Sequence, residues 1–297
     1  MEKNDRLFDT NPESGNIELN SEAAKSRKIV RILIIIIVLL LIGFIILLVF
    51  FLKKDSNSDS NPENNSSNES PFDKIEKESE IHLVPKSGKY DYVLIFMHGL
   101  TGNSTENLDK FDKKDGPIPD TFKIILPCAP RAYVTRLNDV TNSWFDILRN
   151  DTIESTEEVV VFEDMVANSE RIKQIIEQEV KNVGNNYTRI FIGGFSQGAM
   201  MSYHIGLSFE HTLGGIIPFC GFPITKTQIY PDNIEKLNIF GILGGNDIYV
   251  NFDYAINKTL TVLSGFKKLK IEIFKDEPHQ VKDVELEYVK VFIKSLL

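Results

Sequence analysis

The sequence has few cysteines and lacks a large basic cluster. Its 297 residues include two cysteines, Cys128 and Cys220, which allow one disulfide at most and cannot supply a zinc cluster. The length excludes a short scaffold held together by disulfides. Beyond residue 31 no group of lysines and arginines resembles what a phosphate backbone requires, and the net charge is −9, so we expect no nucleic acid as a partner.

Charged residues are absent from residues 32–52, ILIIIIVLLLIGFIILLVFFL. A helix of this length rises about 31 Å, close to the thickness of a bilayer core, so the segment predicts a transmembrane helix. A buried core helix would be shorter and have a polar face, and a cleaved signal peptide would have a shorter apolar run with a small-residue cleavage site. An uncleaved signal anchor fits the segment best.

The flanking cations predict how this helix is oriented. Four cations precede it, whereas two follow it: Lys25, Arg27, Lys28 and Arg31, then Lys53 and Lys54. By the positive-inside rule, residues 1–31 form a short polar tail in the cytoplasm. We therefore predict a single-pass membrane protein in which the chain after this helix is lumenal or extracellular. On that side of the membrane N-x-S/T sequons can be glycosylated, although some of them are expected by chance: Asn64, Asn65, Asn68, Asn103, Asn150, Asn186 and Asn257.

Apolar side chains are absent from residues 55–70, DSNSDSNPENNSSNES. Such a segment cannot contribute to a hydrophobic core. We therefore predict a flexible polar stalk over residues 53–88, followed by one globular domain over residues 89–297. The sequence shows no internal repeat.

Beyond the predicted stalk, short β-rich runs alternate with helical patterns. Several runs are apolar at consecutive positions, which is typical of strands buried on both faces of a parallel sheet. Helical spacing of apolar residues predicts helices over residues 162–182 and 281–297. The alternation predicts an α/β fold with a mostly parallel, doubly wound sheet, helices on both faces, and ligands at the carboxyl ends of the strands. The predicted strands are residues 91–97, 122–126, 189–193, 213–219, 237–243 and 269–274.

The strongest chemical motif is GFSQG at residues 194–198, between a predicted strand and the helical run AMMSYHIGL. In this place the pattern G-x-S-x-G indicates a nucleophile elbow, a sharp turn that exposes the hydroxyl of Ser196. The alternative is an ordinary serine in a glycine-rich turn. The strand before the motif and the helix after it favour the elbow.

A nucleophilic serine needs a histidine base and a carboxylate that orients the histidine. His279 is the predicted base, because His204 and His211 lie on or just beyond the helix that Ser196 opens. The predicted acid is Asp247, since its loop follows a predicted strand. The other acids considered are Asp253, Asp276 and Glu277.

An oxyanion hole needs backbone N–H groups directed at the developing negative charge. Gln197, the residue after the nucleophile, supplies one such group. The turn after an early strand supplies another at Leu100, where Gly99 permits close approach of the backbone. His98 in this turn is predicted to be structural.

A series of motifs follows in order through residues 90–297: HGL at 98–100, PCAP at 127–130, SWFDI at 143–147, IEQEVKN at 176–182, IGGFSQGAM at 192–200, GGNDIYV at 244–250, and His279. This series resembles the acyl-protein thioesterase/phospholipase-carboxylesterase family of serine hydrolases. The resemblance implies an α/β-hydrolase that cleaves esters or thioesters through an acyl-enzyme, with no cofactor and no metal. It assigns the triad to Ser196, Asp247 and His279, the oxyanion hole to Leu100 and Gln197, and the substrate pocket to Trp144 and Phe145.

The chain departs from the family pattern at several places. HGLTG replaces the usual HGLGD, and LGGNDIYVN replaces HGxxDxxVP. Residues 137–142, LNDVTN, are polar where relatives that accept acyl chains are apolar, so we expect a preference for short or medium chains. Family members are typically soluble and cytosolic, which makes the predicted membrane helix an addition.

The sequence therefore predicts a membrane-anchored serine hydrolase. Its expected partners are a small ester or thioester, an acylated protein or lipid, and the membrane itself. An inactive hydrolase fold that serves as a binding module is the alternative, but it would have no reason to keep Ser196, Asp247 and His279 in register. A peptidase lacks a recognisable specificity segment.

Overall fold

The computed structural model describes residues 70–148 and 156–297. The predicted tail at residues 1–31, the predicted transmembrane helix at residues 32–52 and most of the predicted stalk lie outside the described residues. Within the described ranges, every helix is too short or too polar to cross a bilayer.

The described chain alternates strands and helices. The strands are β1 (Phe72–Lys77), β2 (Glu80–Pro85), β3 (Tyr92–Met97), β4 (Phe122–Pro127), β5 (Arg131–Val134), β6 (Asp139–Asn142), β7 (Ile190–Phe195), β8 (Gly215–Phe219), β9 (Ile239–Gly244) and β10 (Leu269–Phe274). The α-helices are α1 (Leu108–Phe111), α2 (Phe162–Glu179), α3 (Gln197–Ser208), α4 (Pro231–Lys236), α5 (Phe252–Val262) and α6 (Asp283–Lys294). Short 3₁₀ turns cover Glu157–Val159, Val180–Val183 and Tyr187–Arg189.

Eight strands form one sheet in the order β1-β2-β4-β3-β7-β8-β9-β10. The pairs β1–β2 and β2–β4 are antiparallel, and the pairs from β4 through β3 to β10 are parallel. The predicted α/β fold with a mostly parallel sheet is confirmed. From β3 the chain goes outward to β4, and β7 later pairs on the other side of β3, so the strand order reverses here. Ligands of such sheets bind outside the carboxyl ends of the strands at this reversal.

The sheet separates two layers of buried side chains. On β3, Val93, Ile95 and Met97 face one layer, and Leu94 and Phe96 face the other. Helices α2, α3 and α5 pack in the first layer, and helices α1 and α6 pack in the second. Because both faces of the sheet are covered, the central strands are apolar at consecutive positions, as the sequence predicts.

The predicted boundary between stalk and domain is wrong. Residues 72–85 lie inside the predicted stalk of residues 53–88, yet they form the β1–β2 hairpin that extends the sheet. Phe72, Ile81 and Leu83 are buried, whereas the other β1 side chains are exposed. An antiparallel edge strand with one solvated face needs few apolar residues. The domain therefore begins by Phe72 and not at residue 89.

Candidate active site

Ser196 lies in a sharp turn between β7 and α3. Its backbone has φ 56° and ψ −115°, outside the regions that residues with a side chain ordinarily adopt. A Cβ on Gly194 would collide with the backbone of Gly198, and a Cβ on Gly198 would collide with the carbonyl group of Met97. Neither glycine has a positive φ. The elbow thus requires glycine at both positions because the backbones approach closely.

Three predicted residues meet at the carboxyl ends of β7, β9 and β10. The Ser196 Oγ lies 2.9 Å from His279 Nε2, and His279 Nδ1 lies 2.6 Å from Asp247 Oδ2. Since a carboxylate only accepts hydrogen bonds, Nδ1 carries the proton and Nε2 is left to accept from the Ser196 hydroxyl. This arrangement can remove the proton from the serine as its oxygen attacks a carbonyl carbon.

Asp247 is held in place by its own loop. Its Oδ1 accepts hydrogen bonds from the backbone N–H groups of Tyr249 (2.9 Å) and Val250 (2.8 Å). Its side chain is 3% exposed and that of His279 is 11% exposed, so little water competes with the bond between them. Of the other acids considered, Glu277 pairs with Lys282 instead.

Two aromatic rings flank the imidazole of His279. The ring centroid of Phe195 lies 4.7 Å from that of His279, and the ring of Tyr249 lies 5.4 Å away. Sequence reasoning missed both residues. Their positions next to the predicted nucleophile and the predicted acid are the signal that could have identified them.

The turn at residues 98–102 is fixed by hydrogen bonds of its backbone. The Gly99 carbonyl accepts from His98 Nδ1 at 2.6 Å and from the Gly102 N–H at 3.2 Å. The Thr101 N–H donates to the Asn142 carbonyl at 3.0 Å, and Asn142 Nδ2 donates to the Gly102 carbonyl at 2.8 Å. Among the described residues, the Leu100 N–H has no acceptor, so it is available beside Ser196.

Gln197 presents a second free N–H beside Ser196. As the first residue of α3 it has no acceptor for this group within the helix, where the helix dipole also favours negative charge. The structure therefore brings the two predicted oxyanion-hole residues, Leu100 and Gln197, to the wall of one cavity with Ser196.

Both ring nitrogens of His98 are bonded to backbone groups. Nδ1 donates to the Gly99 carbonyl, and Nε2 accepts from the Ala129 N–H at 2.9 Å. Burial lowers the pKa of His98 to about 4, so the ring stays neutral. These contacts agree with the structural role predicted for His98.

Comparison with known proteins identifies the family. Residues 79–297 match the sequence profile of the family described as Phospholipase/Carboxylesterase. The chain belongs to this family. The resemblance found in the motifs is thereby confirmed, and the match includes β2, in agreement with the corrected domain boundary.

Two relatives of the chain bear the name acyl-protein thioesterase 1. It is 28% identical to acyl-protein thioesterase 1 of Debaryomyces hansenii, over 69% of this chain and 90% of that protein. It is 27% identical to acyl-protein thioesterase 1 of Candida albicans, over 74% of this chain and 98% of that protein. This Phospholipase/Carboxylesterase family member is an enzyme of the serine carboxylesterase and thioesterase class.

Solved structures show the same fold. Acyl-protein thioesterase 2 of Zea mays superposes with a TM-score of 0.62 at 18% identity, covering 73% of this chain and 98% of that one. SOBER1 of Arabidopsis thaliana gives a TM-score of 0.59 at 23% identity, covering 69% of this chain and 98% of that one. Both likenesses support an α/β-hydrolase fold.

The family fold here encloses a cavity of about 390 Å³ next to Ser196 and His279. Phe145, one of the two residues predicted for the substrate pocket, lines this cavity. Most of its walls are apolar side chains from the segments around the elbow: Leu100, Leu137, Phe145, Ile147, Val159, Val160, Phe195, Met200 and Val250. Such a cavity suits an apolar group, with the hydroxyl of Ser196 placed to react at its polar end.

The predicted pocket role of Trp144 is wrong. Trp144 is completely buried, does not line the cavity, and donates from Nε1 to the His98 carbonyl at 2.9 Å. The Gln197 side chain also holds the loop that contains Trp144. Its Oε1 accepts from the Trp144 N–H at 3.1 Å and its Nε2 donates to the Phe145 carbonyl at 2.9 Å. Trp144 therefore connects the loop to the 98–102 turn.

The expected polar wall at residues 137–142 is wrong as well. Only Leu137 of this segment lines the cavity. Asn138 has φ 53° in the turn between β5 and β6 and accepts from the Tyr133 hydroxyl, while Asp139 accepts from the Val140 N–H. The hairpin turn directs these polar groups to local partners, so they do not restrict chain length in the cavity.

One cluster in the described part of the chain has the donor types of a metal site. Ligand atoms of Cys220, Asp247 and His279 lie within 4.8 Å of one another. Burial, with the nearby charges of Asp247 and Glu285, raises the pKa of the Cys220 thiol to about 12, and only a thiolate binds metal well. His279 and Asp247 are already bonded to each other. The cluster is thus poorly suited to a metal ion.

Proposed function

We propose that this chain is a membrane-anchored hydrolase of acyl esters or thioesters in which Ser196 is the nucleophile, His279 the general base and Asp247 the acid that orients it. The observation that carries this proposal is the pair of hydrogen bonds that joins the three side chains, 2.9 Å and 2.6 Å long, at the end of an apolar cavity. The family assignment supplies the reaction class.

The reaction follows from these positions. Ser196 Oγ attacks the carbonyl carbon of the substrate while His279 Nε2 takes the hydroxyl proton. The negative charge that forms on the carbonyl oxygen is stabilised by the N–H groups of Leu100 and Gln197. His279 then gives its proton to the leaving alcohol or thiol, an acyl-enzyme remains on Ser196, and a water molecule activated by His279 releases the acid. Asp247 stabilises the imidazolium throughout.

The substrate class follows from the cavity and from the relatives. Apolar walls favour an aliphatic acyl chain, because each buried methylene contributes about 0.8 kcal/mol, or about a fourfold gain in kcat/KM. Two similar proteins bear the name acyl-protein thioesterase 1. We infer that S-acylated proteins, or lipids with one acyl chain, are the substrates, with medium or long chains preferred over short ones.

The nucleophile is tested with a fluorophosphonate probe. We expect the wild-type protein to be labelled, and Ser196→Ala to lose both labelling and at least about 10⁴-fold in kcat for p-nitrophenyl esters. Ser208→Ala, on the same helix but outside the cavity, is the matched control and should behave as wild type. Labelling of the Ser196→Ala protein, or retention of a tenth of wild-type kcat, would show that another group attacks.

Membrane anchoring rests on the sequence of residues 32–52 and on the excess of preceding cations. If the domain is lumenal, sealed microsomes should protect it from added protease and glycosidase should increase its mobility on a gel. Asn103 and Asn186 are exposed, so these two sequons are accessible to a glycosyltransferase. Proteolysis of the domain in sealed vesicles, with no glycosidase shift, would place it in the cytosol.

A further inference from the structure

Tyr249 exposes a large side chain at the mouth of the cavity. It lies between β9 and α5, lines the cavity and is 59% exposed. Most of the apolar wall is buried instead, with side chains that are at most 9% exposed, among them Phe145, Val160, Met200 and Val250. The cavity thus has a buried apolar end and an open side on which Tyr249 lies.

The loop that carries Asp247 also fixes the place of Tyr249. The Asp247 carboxylate accepts from the Tyr249 N–H at 2.9 Å. The ring centroid of Tyr249 lies 5.4 Å from that of His279, with an angle of 54° between the two ring planes. The Tyr249 ring is therefore held beside the base by the same loop that orients the base.

The positions of the reacting groups assign this open side to the leaving group. In the proposed mechanism, the carbonyl oxygen of the substrate points to the N–H groups of Leu100 and Gln197. The leaving atom must lie within reach of His279 Nε2, which is 2.9 Å from Ser196 Oγ and supplies the proton. The acyl chain takes the remaining direction, and the buried apolar end of the cavity suits it. The leaving group therefore departs past the rings that flank His279.

Of these two rings, Tyr249 is the one that is open to a ligand. The ring of Phe195 packs against the neighbouring turn, where a Cβ on Gly99 would lie 3.0 Å from Phe195 Cδ1 and 3.3 Å from Cε1. Phe195 is half-buried, whereas Tyr249 is exposed. An exposed aromatic ring gains from contact with an apolar or aromatic group.

We propose that Tyr249 is a specificity-determining residue for the leaving group: its ring packs against the apolar part of the leaving thiol, so that thiols with an apolar or aromatic group near the sulfur are preferred over small ones. This inference rests on the proposed function of Ser196. During acylation the bond between the carbonyl carbon and the sulfur breaks, and His279 gives its proton to the sulfur. The acyl-enzyme no longer contains the thiol, so Tyr249 acts on acylation and not on the hydrolysis that follows.

The test gives the full-length protein two thioesters with the same octanoyl group. One releases ethanethiol and the other releases 2-phenylethanethiol, so both leaving groups are alkyl thiols and only one has a ring. We expect the wild-type kcat/KM to be at least about fivefold higher for the phenylethyl thioester. Tyr249→Ala should lose this preference by lowering kcat/KM for the phenylethyl thioester alone, whereas Tyr249→Phe should keep it. Tyr230→Ala, the same substitution at an exposed tyrosine outside the cavity lining, is the control and should equal wild type.

A second measurement separates contact with the leaving group from support of His279. With p-nitrophenyl octanoate as the acyl donor, hydrolysis of the octanoyl-enzyme should proceed within about twofold of the wild-type rate in Tyr249→Ala, because His279 still activates the water. A wild-type protein without the preference, or its retention in Tyr249→Ala, would overturn the inference. So would its loss in Tyr249→Phe, an equal loss for both thioesters in Tyr249→Ala, or slower hydrolysis of the octanoyl-enzyme. Absence of fluorophosphonate labelling in the wild-type protein would instead refute the proposed function, so the two failures are distinguishable.

Discussion

Glu285 gives a prediction that can be worked out from its surroundings. It lies at the third position of α6, and its side chain is completely buried. Oε2 accepts from the Lys282 N–H at 2.9 Å, but Oε1 has no hydrogen-bond partner among the described residues. Burial raises the pKa of Glu285 to about 7, with the charge of Glu277 adding to the effect.

A raised carboxyl pKa makes the folded state less stable as pH rises. Below pH 4.5 the carboxyl is protonated in both states, and between pH 4.5 and about 7 only the folded state keeps the proton. The protein therefore loses stability across this interval. A shift from 4.5 to about 7, at 1.36 kcal/mol per pH unit, corresponds to a loss of about 3 kcal/mol that is complete above pH 8.

Glu285→Gln removes this titration and keeps the shape and one acceptor oxygen for the Lys282 N–H. Its free energy of unfolding relative to wild type should therefore rise by about 2–3 kcal/mol between pH 4.5 and pH 8.5. The new amide N–H group can remain unpaired, which costs about 1–3 kcal/mol but is the same at every pH. The test is therefore how the difference in free energy of unfolding between Glu285→Gln and the wild type changes with pH.

Urea unfolding of the purified protein at a series of pH values measures this quantity. Glu287→Gln, the exposed neighbour two residues along α6, is the control and should show little pH-dependent difference. If the difference in free energy of unfolding between Glu285→Gln and the wild type changed by less than roughly 0.5 kcal/mol from pH 4.5 to pH 8.5, the raised pKa of Glu285 would be refuted.

Further predictions concern packing and the cavity. Glu179→Ala should lower the free energy of unfolding by about 3–5 kcal/mol in urea, because it leaves the amine of Lys123, 2.6 Å from that carboxylate, buried without its partner; a smaller loss in the Lys123→Met/Glu179→Leu protein would support this. Ile147→Asn should lower kcat/KM for palmitate esters about tenfold more than for butyrate esters, whereas Asp139→Ala should leave the chain-length profile unchanged. Trp144→Phe removes the 2.9 Å hydrogen bond to the His98 carbonyl and should lower the melting temperature while KM stays constant. A large change in KM would show instead that Trp144 contacts the substrate.

Much of the fold follows from the sequence because the central strands are covered on both faces. β3 and β7 are apolar at nearly every position, which distinguishes them from surface segments without any knowledge of the fold. Once the strands are placed, their carboxyl ends gather at one edge, so Ser196, Asp247 and His279 can be brought together by position alone. Together with the GFSQG motif at Ser196, chain order and strand ends pointed to these three residues.

Edge strands and side-chain direction do not follow from the sequence in this way. β1 reads FDKIEK, and its exposed face looks like the polar segment before it. The segment at residues 137–142 looked like a cavity wall because the family places it near the site. Asn138, with φ 53°, turns the chain so that Leu137 faces the cavity while the polar residues after it do not. Asparagine is one of the residue types that favour such an angle, but residue type does not show which neighbouring side chains then face the cavity.

Glycine patterns in the sequence reveal only part of the site, because several residues with strained backbone angles around it are not glycine. Ser196, Thr101 and Cys220 all have positive φ, between 52° and 66°, and they follow β7, β3 and β8 at the edge where the strand order reverses. None is glycine; the glycines of G-x-S-x-G mark Ser196, but no such pattern was identified at Thr101 or Cys220. Each is held by a backbone bond: the Ser196 N–H to Phe219, the Thr101 N–H to Asn142 and the Cys220 N–H to Ile242. Strain of about 1–3 kcal/mol per residue persists only where neighbouring structure imposes it. The central sheet therefore stabilises the turn that holds the Ser196 hydroxyl, and the β5–β6 hairpin stabilises the turn that holds the Leu100 N–H.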